Sequence, residues 1–113
     1  MADCLFCKIL KGEIPSERVY EDEKVIAFKD IHPKAPVHIL VIPREHVGSV
    51  AELSESDANV LPSLFLAAQK IAEQLNVKES GYRAVFNIGA DAGMEVPHLH
   101  LHILGGGRLG GMG

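Results

Sequence analysis

The chain has no apolar run approaching the ~20 residues that a membrane-spanning helix needs. Its first residues, Met1-Ala2-Asp3-Cys4, carry no basic stretch of the kind that opens a secretory signal. Both absences point to a cytoplasmic protein with no membrane partner. An excess of positive charge is lacking too. Lysine and arginine number 11 against 15 acidic residues, a formal net charge of −4, which offers no general field for nucleic acid. An anionic ligand must therefore be held by a local site. Cysteine is scarce, with two residues in the chain, in the run Cys4-Leu5-Phe6-Cys7. A reducing compartment argues against a structural disulfide, and nothing before Cys4 supplies the strand that would precede a thioredoxin-like pair. Metal ligation is the remaining specific reading. No linker, repeat or low-complexity block interrupts the chain before its glycine-rich end. The 113 residues suit one domain, 1–113, able to bury a core of its own.

The apolar pattern predicts an antiparallel α+β architecture. Asp3 can cap a short helix over residues 4–11, with Leu5, Phe6, Ile9 and Leu10 on its apolar face, Gly12 as the stop and Pro15 beyond. Residues 19–21 and 25–29 read as hairpin strands around Asp22-Glu23-Lys24. A turn pinned by Pro33 and Pro36 leads into a nearly continuous apolar strand, 37–42, interrupted by His38. Ser54 or Ser56 can cap a long helix reaching Leu75, with Leu61, Leu64, Ala68, Ile71 and Leu75 as its buried stripe. Pro62 lies inside that span and predicts a kink. Residues 82–88 and 98–104 are the last two strands, and the tail 105–113 reads as mobile or ordered only by a partner.

The segment Pro97-His98-Leu99-His100-Leu101-His102-Ile103-Leu104 holds half of the six histidines. Strict alternation puts them on one face of a strand, with neighbouring rings spaced by roughly 7 Å. A neutral imidazole with one free nitrogen is a good nucleophile toward phosphorus. Its other nitrogen needs an acceptor for its proton, typically a backbone carbonyl. His100, with a histidine on either side, is best placed to attack. His102, His38 and Asn87 can complete a polar clamp that spreads charge in the transition state. A metallohydrolase is the competing reading, since several imidazoles can also hold zinc.

At this point the sequence resembles the histidine-triad superfamily, whose mark is His-x-His-x-His followed by apolar residues. The resemblance extends through Phe6-Cys7-Lys8-Ile9, Gly12-Glu13-Ile14-Pro15, Phe28-Lys29-Asp30-Ile31, Pro33-Lys34-Ala35-Pro36-Val37-His38, Val41-Ile42-Pro43, Tyr82-Arg83, Asn87-Ile88-Gly89 and Gly93. Gly105-Gly106 after the triad is closer to the Hint branch of purine nucleoside phosphoramidases than to the dinucleoside polyphosphate hydrolases. The resemblance implies a HIT-like fold: a five-stranded antiparallel sheet with one short N-terminal helix and one long helix. It also implies a homodimer that binds a purine nucleotide and cleaves a P–N bond through a nucleotidyl-histidine. Carried over by position, His100 matches the nucleophile, with His102, His38 and Asn87 on the phosphate side. Asp30 matches the carboxylate that bonds the ribose. Leu5, Phe6, Ile9, Phe28 and Ile31 match the apolar slot around the base.

The run Gly93-Met94-Glu95 completes the expected nucleotide-binding set. Eukaryotic members tend to carry Gly-Gln-Ser there, so this chain brings no hydroxyl to the leaving group. The tail also lacks the tryptophan-containing ending found in some members. Some bacterial members resemble this chain in a Cys-x-x-Cys, a histidine after the long strand and the first triad histidine, which implies a structural zinc held by Cys4, Cys7, His46 and His98 that would staple the N-terminal helix to the sheet. Two other readings share the pocket: a nucleotide-binding regulatory module without turnover, and a dinucleoside polyphosphate hydrolase.

Overall fold

Alternation of side chains across one sheet gives this protein its two separate cores. The computed structural model describes residues 4–111. Five strands, β1 (Arg18–Glu21), β2 (Val25–Lys29), β3 (Val37–Pro43), β4 (Tyr82–Val85) and β5 (Leu101–Gly105), form one antiparallel sheet in the order β1-β2-β3-β5-β4. Val25 and Ala27 of β2, Ile39 and Val41 of β3, and Leu101 and Ile103 of β5 pack toward Leu64, Ala67, Ala68 and Ile71 of the long helix α2 (Val60–Gln74). The intervening Ile26, Phe28, Leu40 and Ile42 pack toward Phe6 and Ile9 of the short helix α1 (Leu5–Leu10). Each fully buried large aliphatic side chain in these layers contributes about 1.5–3 kcal/mol. His38 and His102 fall on the α1 side, because they stand two residues from Leu40 on β3 and opposite Leu40 on β5.

The short helix ends as the sequence predicts. Gly12 takes φ +79°, its N–H donates to the Ile9 carbonyl, and the Glu13 N–H donates to Lys8 at 2.9 Å, which is a Schellman closure. Its start differs: Cys4 is the N-cap and accepts the Cys7 N–H on Sγ at 3.4 Å. Asp3, expected to cap this helix, lies outside the described residues. The β1–β2 turn is held by Asp22, whose Oδ1 accepts the N–H groups of Lys24 and Val25.

The long helix departs further from the sequence reading. It starts at Val60, not at Ser54 or Ser56, and Ser54 instead closes a separate 3-10 turn over Glu55–Asp57 with a reciprocal bond to Asp57. This removes the conflict at Pro62, which now sits in the first turn of α2 where no N–H is needed. Strands β4 and β5 are also shorter than 82–88 and 98–104. The register pairs Val41 with Leu101 and would next oppose Pro43 to Leu99, but Pro43 has no N–H to donate. The ladder ends there, and the Leu99 N–H goes to the Val47 carbonyl instead, at 2.6 Å. In the tail, Arg83 donates to the Gly110 carbonyl at 3.1 Å; Met112 and Gly113 lie outside the described residues.

Candidate active site

The end of the β5 ladder at Leu101 lets the three alternating histidines part company. His98 and His100 precede the strand and only His102 belongs to it. Alternation itself survives, since Leu99, Leu101 and Ile103 remain in the α2-side core. The expected row of three evenly spaced rings does not form. His100 and His102 stand edge to face with centroids 4.9 Å apart, while His98 turns to His46, 4.7 Å away.

His100 is buried and its Nδ1–H donates to the His98 carbonyl at 2.7 Å. That bond assigns the proton to Nδ1 and leaves the Nε2 lone pair free. Phe6 braces the ring edge-on, with centroids 5.0 Å apart at 87°. Burial pushes the His100 pKa below the usual imidazole value, against the pull of the His98 carbonyl bond and of Asp30. A neutral, oriented imidazole is the result.

Beside it runs a chain of hydrogen bonds with a defined direction. The Lys34 N–H donates to His38 Nδ1 at 3.1 Å, so the proton of a neutral His38 sits on Nε2. That nitrogen is 3.0 Å from His102 Nδ1 and 3.4 Å from Asp30 Oδ2. His102 therefore accepts at Nδ1 and carries its own proton on Nε2, where the amide of Asn87 stands 3.4 Å away. A half-turn of that amide, exchanging oxygen for nitrogen, presents the matching acceptor. Burial, reinforced by His100 and His38, lowers the His102 pKa to about 4; burial also lowers that of His38. Asp30 is steadied by the His32 N–H on Oδ1 at 2.8 Å, which leaves Oδ2 as its available oxygen.

Asp30, His38 and His102 are close enough together to suggest a cation site. The Lys34 amide speaks against it, because a His38 whose Nε2 bears a proton cannot ligate through that nitrogen. This cluster presents a donor, which suits a phosphate oxygen. The second cluster, Cys4, Cys7, His46 and His98, has its ligand atoms within 4.8 Å of one another and can hold a metal ion. Here the polarity is reversed. His98 Nε2 donates to the Pro43 carbonyl at 3.1 Å, so its Nδ1 lone pair faces Cys4 Sγ at 3.3 Å and Cys7 Sγ at 3.6 Å. His46 Nδ1 lies 3.4 Å from Cys7 Sγ and 3.2 Å from His98 Nδ1. Burial brings the His98 pKa down to about 4, and burial with the neighbouring Cys4 raises that of Cys7.

The remaining expected site residues divide by exposure. Phe6, Ile9 and Phe28 are buried beneath the histidines, whereas Leu5 and Ile31 are exposed, Ile31 at 85%. Asn87 is half-buried, as is Met94, while Gly93 and Glu95 are exposed. Gly93 and Met94 are tied to their loop by backbone bonds to Ala90 and Gly89. Sequence reasoning missed the backbone groups: the Lys34 amide and the Pro43 carbonyl have no side-chain signature. The paired prolines around Lys34 were the one visible hint of a fixed turn.

Comparison with known proteins agrees with this geometry. A profile described as the HIT domain matches residues 11–109. The purine nucleoside phosphoramidase of Escherichia coli strain K12 is 44% identical over 110 residues, covering 97% of this chain and 92% of its own length. Among solved structures, a HIT family hydrolase from Clostridium thermocellum superposes with a TM-score of 0.95 at 52% identity, over 99% of this chain and 97% of that one. A histidine triad protein from Clostridium difficile gives 0.96 at 42% identity, over 100% and 98%. The chain belongs to the HIT domain family.

Proposed function

We propose that this protein hydrolyses purine nucleoside phosphoramidates through a nucleotidyl intermediate on His100. The observation that carries the reading is the 2.7 Å bond from His100 Nδ1–H to the His98 carbonyl, which leaves Nε2 as a neutral nucleophile beside a donor-bearing His102. Nε2 attacks the α-phosphorus, the Nε2–P bond forms as the P–N bond breaks, and the amine departs with a proton drawn from water. A water that gives its proton to the hydroxide left by that transfer then adds to phosphorus, the Nε2–P bond breaks, and the nucleoside monophosphate leaves with the neutral imidazole restored. On substrate binding the His102 Nε2–H passes from Asn87 to a phosphoryl oxygen, His38 holds the ring at Nδ1, and the Asn87 amide lies beside the phosphate. Asp30 Oδ2 accepts from the ribose hydroxyls. Leu5 and Ile31 contact the base above Phe6, Ile9 and Phe28, and Gly93, Met94 and Glu95 border the leaving group. The name of the Escherichia coli relative supports this substrate class.

The same reading assigns a structural zinc to Cys4, Cys7, His46 and His98. A tetrahedral zinc with bonds of about 2.3 Å to sulfur and about 2.0 Å to nitrogen separates its ligand atoms by about 3.3–3.8 Å. The observed sulfur–nitrogen and nitrogen–nitrogen separations of 3.2–3.6 Å fit that frame. When bound, the ion ties α1 to the loop after β3 and to the segment before β5. A cytoplasmic homodimer completes the proposal.

Intact-mass analysis during turnover of adenosine 5′-phosphoramidate tests the chemistry. A nucleotidyl adduct on His100 is expected, and His100→Asn should abolish both adduct and turnover while adenosine monophosphate still binds. Undiminished turnover by that variant would overturn the reading.

A further inference from the structure

The direction of the hydrogen-bond chain beside His100 is set by one backbone group. We propose that the amide N–H of Lys34 is a positioning group that locks His38 and, through it, His102 as hydrogen-bond donors toward the substrate. This deepens the proposed function and rests on it for its chemical meaning. The lock itself is a property of the resting protein.

Proton counting carries the argument. A neutral imidazole has one proton for two nitrogens. The Lys34 N–H, 3.1 Å from His38 Nδ1, demands a lone pair there, which leaves Nε2 as the only protonated position. His102 Nδ1 lies 3.0 Å from that Nε2; a proton on it as well would set two donors against each other, so His102 is protonated at Nε2. Reverse the first bond and every later one reverses. His38 would then accept, His102 would donate to it, and a lone pair would face the phosphate oxygen. The three groups at Asp30, His38 and His102 would at the same time become a two-nitrogen, one-carboxylate cation site of the kind their spacing allows.

The turn is built to deliver this one amide. Pro33 and Pro36 have no N–H, so only Lys34 and Ala35 offer backbone donors between them. Asp30 anchors the near end, its N–H donating to the His38 carbonyl at 3.0 Å and its Oδ1 accepting the His32 N–H. The Lys34 side chain is exposed and takes no part in the lock.

Long-range proton–nitrogen correlation NMR of the imidazoles tests this without substrate. In the native protein, His38 and His102 are both expected to carry their proton on Nε2. A proton on Nδ1 of either residue in the neutral form overturns the proposal directly. The decisive variant replaces Lys34 with its α-hydroxy acid, which exchanges N–H for oxygen and keeps the side chain. Lys34→Pro removes the same N–H by a second route, and Lys34→Ala keeps it. Loss of the N–H should move the His102 proton to Nδ1, lower kcat for a purine phosphoramidate about 10²-fold, as loss of an oxyanion donor does, and let the protein take up one zinc equivalent more than native. Lys34→Ala should keep the native proton positions. If the His102 proton stays on Nε2 once the amide is gone, the lock is not the Lys34 amide. Failure of the phosphoramidase reading looks different: the proton positions move as expected, but His100→Asn costs no turnover.

Discussion

The carbonyl of His98 accepts the Nδ1–H of His100 at 2.7 Å, while the His98 ring turns the other way, 3.3 Å from the Cys4 thiol. One residue thus belongs to two sites. Its backbone orients the His100 ring and its side chain belongs to the cluster that gathers α1 against the sheet. Phe6 makes the same connection from the other end, since it lies between the cysteines in sequence and rests edge-on against His100.

Removal of the proposed metal ligands should therefore be felt mainly as lost stability. Cys4→Ser or Cys7→Ser is expected to abolish stoichiometric zinc and lower Tm, with kcat reduced by less than about tenfold because the His98 carbonyl is still present. Metal analysis of protein purified without chelator, followed by thermal scans with and without chelator, checks this. Protein of undiminished Tm after complete removal of metal would refute the staple.

Loss of His102 should act on the rate. His102→Gln is expected to reduce kcat by about 10²-fold, as removal of one preorganised donor does, with a smaller change in KM. Steady-state kinetics on a purine phosphoramidate separates the two parameters.

The pH dependence has a definite sign. Burial keeps His100 below its ordinary pKa and His102 at about 4, so both imidazoles stay neutral, and under the proposed chemistry kcat/KM should stay level, down to below pH 6.5. Stability follows from proton uptake. An unfolded histidine protonates near 6.5, whereas folded His102 resists until about 4, so the unfolded state binds more protons between those values. Stability should be level above pH 6.5 and fall as pH drops from 6.5 toward 4. Urea midpoints across that range should show the decline, and a shallower one in His102→Gln.

Gly106 offers a packing test next to the same site. It adopts φ +84°, and a Cβ there would meet Pro36 at 3.1 Å and Val37 at 3.2 Å, at the start of the strand that carries His38. Gly106→Ala should cost more than about 1 kcal/mol. Gly110→Ala, with nothing within 4 Å of its Cβ, should be close to neutral. Chemical denaturation of both variants makes the comparison.

Much of this arrangement was legible along the chain. The alternation in 98–104 placed leucine and isoleucine in the core and the histidines opposite them, and this held even where the β ladder did not. Gly12 marked the end of α1 because a positive φ favours a residue without Cβ. The spacing of Cys4 and Cys7 pointed to a cluster that, with His46 and His98, can hold a metal ion. Two departures from the sequence reading concern proline. Pro62 looked like a kink in a helix read as starting at Ser54 or Ser56, but the helix begins at Val60, so Pro62 falls in its first turn, where no N–H is needed. The strand read over 98–104 begins only at Leu101, because the residue that would face Leu99 is Pro43, which lacks an N–H.

What the sequence by itself determined was composition of faces: which side chains are apolar, which are imidazole or thiol, and at what period they recur. Periodicity is a local property, enforced by the geometry of one backbone segment. The tertiary structure alone decided which nitrogen of each histidine is free. That choice depends on a carbonyl from Pro43, an amide from Lys34 and the carbonyl of His98. Such backbone groups are chemically alike at every position, so only their placement in space can select one ring nitrogen for a proton and leave the other for a metal or a phosphorus atom.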